Sequence, residues 1–454
     1  MHGSTRILAA LAWLAAASPV LAASPRSTIG VNVLLSTGVT DAVLADLATH
    51  GRVRDVLAEI DAVTMQTTVA ELDVIRALPY VAAANPDAVR NGAPVDTVEV
   101  TDFANGLSTW DNDAINVTNL GAGRVTAFTG SGVYVAVLDT GLLDSWRQYF
   151  PQERIASHLG IAFGGGGGEV GTVSSQPNKW EHDQHSHGTH VTSTILGYNL
   201  GGTAVNGVAP LATVIPVKVL NQNGSGWSSV VARGITYVAN LKASGALGSA
   251  PVVINMSLGG PALDAVEKAA LDFAIANGVL VVASAGNAGA AGMGFPGAYE
   301  PVISVAASGW TGEWVGPRNW WVARNVPDPT DAANFYITDF SSRELAGQDL
   351  DVAAPGSWVV GPFQLNSGQT SFFFLGGTSM ASPHVAGIVA LMAEKNPSLG
   401  QAQAEAILEG SATPLPAGCR TITGPTGATE EVCWGADATG AGLATADEAL
   451  AATP

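Results

Sequence analysis

The chain has 454 residues, of which 47% are hydrophobic and only 13% charged, and its formal net charge is −19. That length suffices for a large core with a smaller accessory domain, and the apolar fraction excludes a mainly disordered protein. The negative charge argues against nucleic acid as a partner and favours solubility, with a mild preference for less acidic peptides.

At the start of the chain, Arg6 precedes an apolar stretch from Ile7 to Ala17, and small residues follow at Ala22 and Ala23. This is the layout of a cleavable export signal over Met1 to Ala23. No cysteine follows to accept a lipid, so a secreted, extracellular protein without a stable membrane anchor is expected. Ser24 to about Asp102 reads as a small domain. Gly30 to Leu35 predicts a strand, Asp41 to Ala48 an amphipathic helix, Val63 to Val69 a strand, Glu71 to Ala77 a helix, and Tyr80 to Ala84 a strand closing on Asn85-Pro86-Asp87. Asn91 to Asn105, with glycine, proline and scattered acids, reads as a linker and processing region.

Beyond Trp110, strand, turn and helix repeat. Val133 to Leu138, Val214 to Leu220, Val252 to Asn255, Val279 to Ala283, Val302 to Ala306 and Leu350 to Ala353 read as strands. Val230 to Lys242, Leu263 to Ala276 and Ser379 to Lys395 have helical length and spacing. The alternation predicts an α/β fold, a mostly parallel sheet sandwiched by helices, whose functional groups gather at strand ends and helix starts.

Three motifs carry chemistry. The apolar run Tyr134-Val135-Ala136-Val137-Leu138 ends in Asp139 at a turn, and His187-Gly188-Thr189-His190-Val191 opens a helical stretch with an imidazole suited to proton transfer near neutrality. The eleven residues Gly377 to Gly387 place Ser379 at a glycine-flanked helix start, where free N–H groups and a partial positive charge surround the hydroxyl. Pro383 is expected in the first turn, where no helical hydrogen bond is lost. Acyl transfer needs these three types: Ser379 as nucleophile, His187 as general base and then acid, and Asp139 to orient and support the imidazolium. His182, His185 and His190 raise the question of zinc, but no His-Glu-x-x-His pattern occurs and no third ligand presents itself. Gly164 to Gly168 reads as a flexible loop without phosphate chemistry, since no Lys-Ser/Thr follows.

The order Asp139, His187, Ser379 is the subtilisin order. With these motifs, the chain from about Trp110 to Leu450 resembles the subtilisin-like serine proteases, the subtilase family or peptidase S8. The resemblance implies a serine endopeptidase acting through an acyl-enzyme. In Val281 to Gly289 it implies Asn287 as an oxyanion donor beside the Ser379 N–H. Ser257-Leu258-Gly259-Gly260 resembles the strand that pairs with extended substrate, Gly224-Ser225-Gly226-Trp227 the opposing strand, and Gly294-Phe295-Pro296-Gly297 the pocket base. With Gly294 leaving that pocket open and no acid in these segments, a large apolar or aromatic residue before the cut is expected.

Residues 24–102 resemble the ferredoxin-like propeptide of subtilases, which implies a zymogen whose catalytic domain is 103–454 and whose propeptide assists folding and inhibits intramolecularly. Polypeptide substrates and no cofactor for the chemistry follow from the same resemblance, and a monomer is expected. Structural calcium belongs to many subtilases, although glycine-rich Gly197 to Gly207 stands where the usual ligand loop would be. The alternative, an inactive subtilase-fold protein-binding module, calls for a lost triad member, and none is lost. Trp310 to Tyr336 is longer than the family connection; it either overhangs the leaving-group side of the cleft or forms an aromatic-pinned surface loop. Cys419 and Cys433 would meet oxidant in an exported chain, and a disulfide between them contributes about 3 kcal/mol at best. Gly440 to Leu450 resembles the family's closing strand and helix, with no extra C-terminal domain.

Overall fold

Runs of Val, Ile, Leu and Ala without polar alternation suit strands covered on both faces. Tyr134–Asp139, Thr213–Lys218, Val252–Met256 and Val279–Ser284 are such strands. The structure is a computed structural model describing residues 24–100, 108–120, 122–164, 170–327 and 329–454, so the export-signal reading at 1–23 and most of the glycine run at 164–168 lie outside the described residues. In the central nine-stranded sheet, strands 161–163, 213–218, 134–139, 252–256, 279–284 and 303–310 run parallel in that spatial order, with 352–355 parallel beside 303–310. Short antiparallel strands, 175–176 and 335–337, are added at the ends.

Alternate residues of one strand show the layering. Val135 and Val137 enter a core with Val191 and Val385, from helices His187–Leu196 and Thr378–Lys395. Ala136 and Leu138 enter the opposite core with Val231 and Val266, from helices Ser228–Ala243 and Ala265–Ala276. The sheet is therefore sandwiched as expected. Asp139, His187 and Ser379 emerge where a strand ends and two helices begin.

Three local expectations change. Pro383 is not in the first turn but inside helix Thr378–Lys395. The closing segment keeps its helix, Ala446–Ala452, but its strand shrinks to single bridges from Leu443 to Ala353 and Thr413. Before it comes a hairpin, Gly418–Thr423 with Thr429–Trp434, which sets Cys419 directly opposite Cys433 and carries their disulfide.

The N-terminal unit is an antiparallel four-stranded sheet in the order Arg52–Leu57, Ala62–Thr68, Thr28–Leu35, Val81–Pro86, with helices Asp41–His50 and Val69–Arg76. It has its own core around Val31, Val33, Leu47, Met65 and Ile75. It docks on the N-termini of two helices, where free N–H groups await acceptors. Asp87 accepts the Ser229 N–H at 3.0 Å and its hydroxyl at 2.6 Å, and Asn85 Oδ1 accepts the Ala265 N–H at 3.1 Å. Asn32 Nδ2 donates to Asp87 at 3.1 Å and to Asp264 at 2.7 Å, and Arg54 pairs with Asp87 at 3.1 Å, all four residues buried.

The described part of the stretch read as a linker, up to residue 100, is largely paired. Val89–Asn91 runs antiparallel to Ser225–Trp227, and Asp96–Glu99 antiparallel to Phe372–Gly376. A polar segment becomes strand here because two catalytic-domain edges offer it unpaired N–H and C=O groups. The notional boundary at 102 falls in 101–107, outside the described residues. Residues 310–336 take the aromatic-pinned form. Trp310, Trp314, Trp320 and Trp321 are buried, and 315–318 are exposed. The indoles of Trp314 and Trp320 lie 4.7 and 5.7 Å from the Phe374 ring, on the strand leading to Ser379. Among the described residues no helix is long and apolar enough to cross a membrane.

Candidate active site

Asp139 closes its strand fully buried, and its Oδ1 accepts the Thr140 N–H at 2.6 Å. His187 Nδ1 lies 2.8 and 2.9 Å from the two Asp139 oxygens. Nδ1 therefore carries the proton, and Nε2 is left as the basic nitrogen. Ser186 turns the chain into the His187 helix with a left-handed φ of 69°. Asp183 holds that turn by accepting the N–H groups of His185 and Ser186, both at 2.9 Å. At Gly188 a Cβ would lie 2.4 Å from the Gly141 oxygen, so glycine is what lets the helix start abut the Asp139 turn.

Burial dominates the neighbouring charges. It pushes Asp183 up to about 6, against the pull of Lys218. It lowers His185 to about 4 and His190 to about 3, with the His187 charge adding in both. His187 thus sits between imidazoles that stay neutral. Nor do the histidines converge on a metal, since His187 Nδ1 is committed to Asp139 and His190 Nε2 donates to the Val359 carbonyl at 3.2 Å.

Ser379 is the second residue of its helix and 2% exposed. Its hydroxyl donates to the Ser257 carbonyl at 3.2 Å, while His187 Nε2 is buried without a hydrogen-bond partner. The serine–histidine bond is not made in this state; catalytic bonds of this kind commonly close when substrate arrives. Pro383 has a specific consequence here. Its missing N–H is the one that would bond the Ser379 carbonyl four residues back, and the Ser257 hydroxyl donates to that oxygen instead, at 2.8 Å. Ser257 Oγ is itself held by Asn255 Nδ2 at 3.1 Å, and Asn255 Oδ1 by Ser382 at 2.7 Å.

Asn287 is exposed, and its orientation is set by Thr378. The Asn287 Oδ1 accepts the Thr378 N–H at 2.9 Å and its hydroxyl at 2.8 Å, while that hydroxyl accepts the Gly286 N–H at 3.1 Å. The amide NH₂ is therefore the end left to donate beside the start of the Ser379 helix. Histidine base, serine hydroxyl and outward amide donor are the parts that acyl transfer requires.

The segments expected to bind substrate carry the chain's own strand. Gly226 faces Arg90 in register, and Asn91 and Gly259 exchange two backbone bonds of 2.9 Å. The Gly92 N–H bonds the Gly224 carbonyl at 2.8 Å, and a Cβ at Gly92 would meet the Ser257 oxygen at 2.7 Å and His187 Cε1 at 3.3 Å. Beyond the site, the Val95 N–H bonds the carbonyl of Gly376, three residues before Ser379. Gly294 lies against Gly259 and Gly260, while Leu258 is buried in the core.

Sequence reasoning missed Thr378, whose place beside Ser379 was a signal, and Glu267, which reads only as one polar residue of a helix. Glu267 is fully buried and pairs with Arg90. Two groupings of described residues have metal-binding geometry: Cys419, Glu431 and Cys433, whose thiols are spent in the disulfide, and Asp349, Asp351 and Glu405. In the second, Asp351 Oδ1 is buried and unpartnered, and burial with neighbouring carboxylates pushes Asp351 and Glu405 up to about 7.

A profile of the subtilase family matches residues 130–435. Alkaline elastase YaB of Bacillus sp. (strain YaB) is 38% identical over 288 residues, which cover 63% of this chain and 61% of that protein. Subtilisin DY of Bacillus licheniformis is 35% identical over 296 residues, 64% of this chain and 88% of that one. Among solved structures, fervidolysin from Fervidobacterium pennivorans, described as a keratinolytic enzyme related to subtilisin, superposes with a TM-score of 0.65 at 22% identity, covering 94% of this chain and 61% of its own. That likeness is one of fold.

Proposed function

The chain belongs to the subtilase family of serine endopeptidases, and from that premise we propose that it is a secreted endopeptidase made as a zymogen, with Ser379 as nucleophile. The observation that carries this reading is residues 89–92, a peptide strand laid between Ser225–Trp227 and Gly259 across the bonded Asp139 and His187. A peptide bound there gains backbone pairing with little demand on its sequence.

In the proposed reaction the Ser379 hydroxyl turns from the Ser257 carbonyl to His187 Nε2 and attacks the scissile carbonyl carbon. The proton passes to Nε2, and the buried Asp139 stabilises the imidazolium. The oxyanion takes the Ser379 N–H and the Asn287 NH₂. Collapse expels the amine, protonated by His187, and water repeats the sequence on the acyl-enzyme. A large apolar or aromatic residue before the cut fits a pocket in which Gly294 contributes no side chain. Residues 24 to about 102 act as the inhibitor until they are cut away.

Asp349, Asp351 and Glu405 offer hard oxygen donors with one buried oxygen unpartnered, which suits a structural calcium ion and gives it no step in the chemistry. Calcium should raise the thermal midpoint of the wild type and not of Asp351→Asn; equal shifts would remove the assignment. For the activity itself, wild type and Ser379→Ala are compared for fluorophosphonate labelling, self-cleavage and hydrolysis of a peptide with Phe before the cut. All three should vanish in the variant. A folded wild type that neither labels nor cleaves sinks the proposal.

A further inference from the structure

We propose that the pocket filled by Arg90 is a specificity site for arginine in peptide substrates, at the fourth residue upstream of the cut, with Glu267 as its selective group. The inference rests on the endopeptidase reading and names a preference within it. The register fixes the position. Gly92 lies against Ser257 and His187, and Val95 pairs with Gly376 ahead of Ser379, so Ala93 and Pro94 fall between these anchors and we take the bond joining them as the one presented to the nucleophile. Counting back from Ala93 as the first residue, Arg90 is the fourth.

The Arg90 side chain is fully buried, as is Glu267 on helix Ala265–Ala276. Arg90 Nε donates to the Glu267 oxygens at 3.0 and 3.2 Å, and Nη2 donates both to Glu267 Oε2 and, at 3.0 Å, to the Ala262 carbonyl. Nη1 adds a 3.0 Å bond to the Val89 carbonyl of the strand itself. This is a forked guanidinium–carboxylate pair, whose geometry a lysine does not reproduce. Gly260 makes the room, since a Cβ there would lie 2.9 Å from Nη1.

Glu267, Ala262, Gly260 and Gly226 all belong to the catalytic domain, so the pocket outlasts departure of the N-terminal unit. An unpaired carboxylate in that pocket disfavours any occupant that cannot neutralise it, because its desolvation is then uncompensated. Another peptide seated by the same backbone bonds to Gly259 and Gly224 brings its own fourth residue to Glu267. A site built around a buried hydrogen-bonding group discriminates strongly against an analogue lacking the matching one.

The test uses enzyme matured from the full chain and the chromogenic peptides Val-Xaa-Asn-Gly-Phe-p-nitroanilide, in which Xaa is arginine, its neutral isostere citrulline, or leucine. The wild type should show kcat/KM for arginine roughly 30- to 100-fold above either alternative. Glu267→Gln should reduce that advantage to about threefold or less while labelling with fluorophosphonate persists. Rates within about threefold across the three peptides in the wild type overturn the proposal, whatever the variant does. Protection of Ser379 from labelling by Val-Xaa-Asn-Gly-Ala supplies the same comparison without turnover, and equal protection by arginine and citrulline also overturns it. Absence of labelling altogether strikes the endopeptidase reading, a result distinct from labelled enzyme indifferent to arginine.

Discussion

Two regions attach to the catalytic core with different proportions of polar and apolar contact. The N-terminal unit is held by a polar network, with Asp87 and Asn85 at two helix starts, Asn32 between Asp87 and Asp264, Arg54 on Asp87, and Arg233 on Asp55 at 2.8 Å, beside an apolar patch in which Leu57, Ile60 and Ala62 join the core of Val231 and Val266. The insertion at 310–336 is held through tryptophans packed among Trp110, Trp358 and Phe374. Every polar group at the first interface can be rehydrated, so separation costs the net value of its hydrogen bonds together with the apolar area of Leu57, Ile60 and Ala62. The indoles would expose large apolar surfaces. Polar contacts weigh more in the first attachment and aromatic packing in the second.

The largest expected effect lies in the aromatic insertion. In a Ser379→Ala background that prevents self-cleavage, Trp320→Ala should destabilise the protein by about 3–5 kcal/mol in denaturant unfolding, as fully buried aromatics do. A loss below 1 kcal/mol would show the aromatic packing to be dispensable and collapse the contrast.

Next comes the buried acid within that packing. Glu313 accepts from Trp310 N–H, Tyr336 and Ser357 at 2.8–2.9 Å, yet burial pushes it up from 4.5 to about 7. A carboxyl raised in the folded state contributes stability in its protonated form, fully below pH 4.5 and lost as pH rises through 7. Between pH 4 and 8 the stability of the wild type relative to Glu313→Gln should therefore fall by about 3 kcal/mol. Parallel pH profiles for the two proteins would mean that Glu313 ionises equally freely in both states.

The smallest effect belongs to the polar contact of the N-terminal unit. Asp87→Ala in the full chain should shift docking by about 2 kcal/mol, roughly thirtyfold, as loss of charged hydrogen bonds does. It should be read as earlier hydrolysis of a small chromogenic substrate, before processing, with the thermal midpoint of the catalytic domain unchanged. A matching fall in that midpoint would show the two regions to be one cooperative unit.

The central strands were legible because burial on both faces leaves runs such as Val279 to Ala283 without polar residues, and the triad positions because each follows an element boundary. What was illegible depended on partners distant in sequence. Residues 96–99 look like linker until Phe372–Gly376 is beside them. The 418–434 hairpin has the composition of an exposed loop. Glu267 matters only because Arg90, 177 positions away, reaches it. Pro383 was misplaced because nothing local reveals that a serine just past another strand replaces its missing donor.

That replacement has a consequence for anyone wishing to retarget the enzyme. Ser257 stands on the wall along which a peptide would lie, so it invites substitution in a specificity library, but its hydroxyl also completes the first turn of the helix bearing Ser379. Changes at position 257 would disturb the proposed recognition wall and the support of the proposed nucleophile together. Glu267 has no bond to that helix among its contacts, which makes it the freer dial.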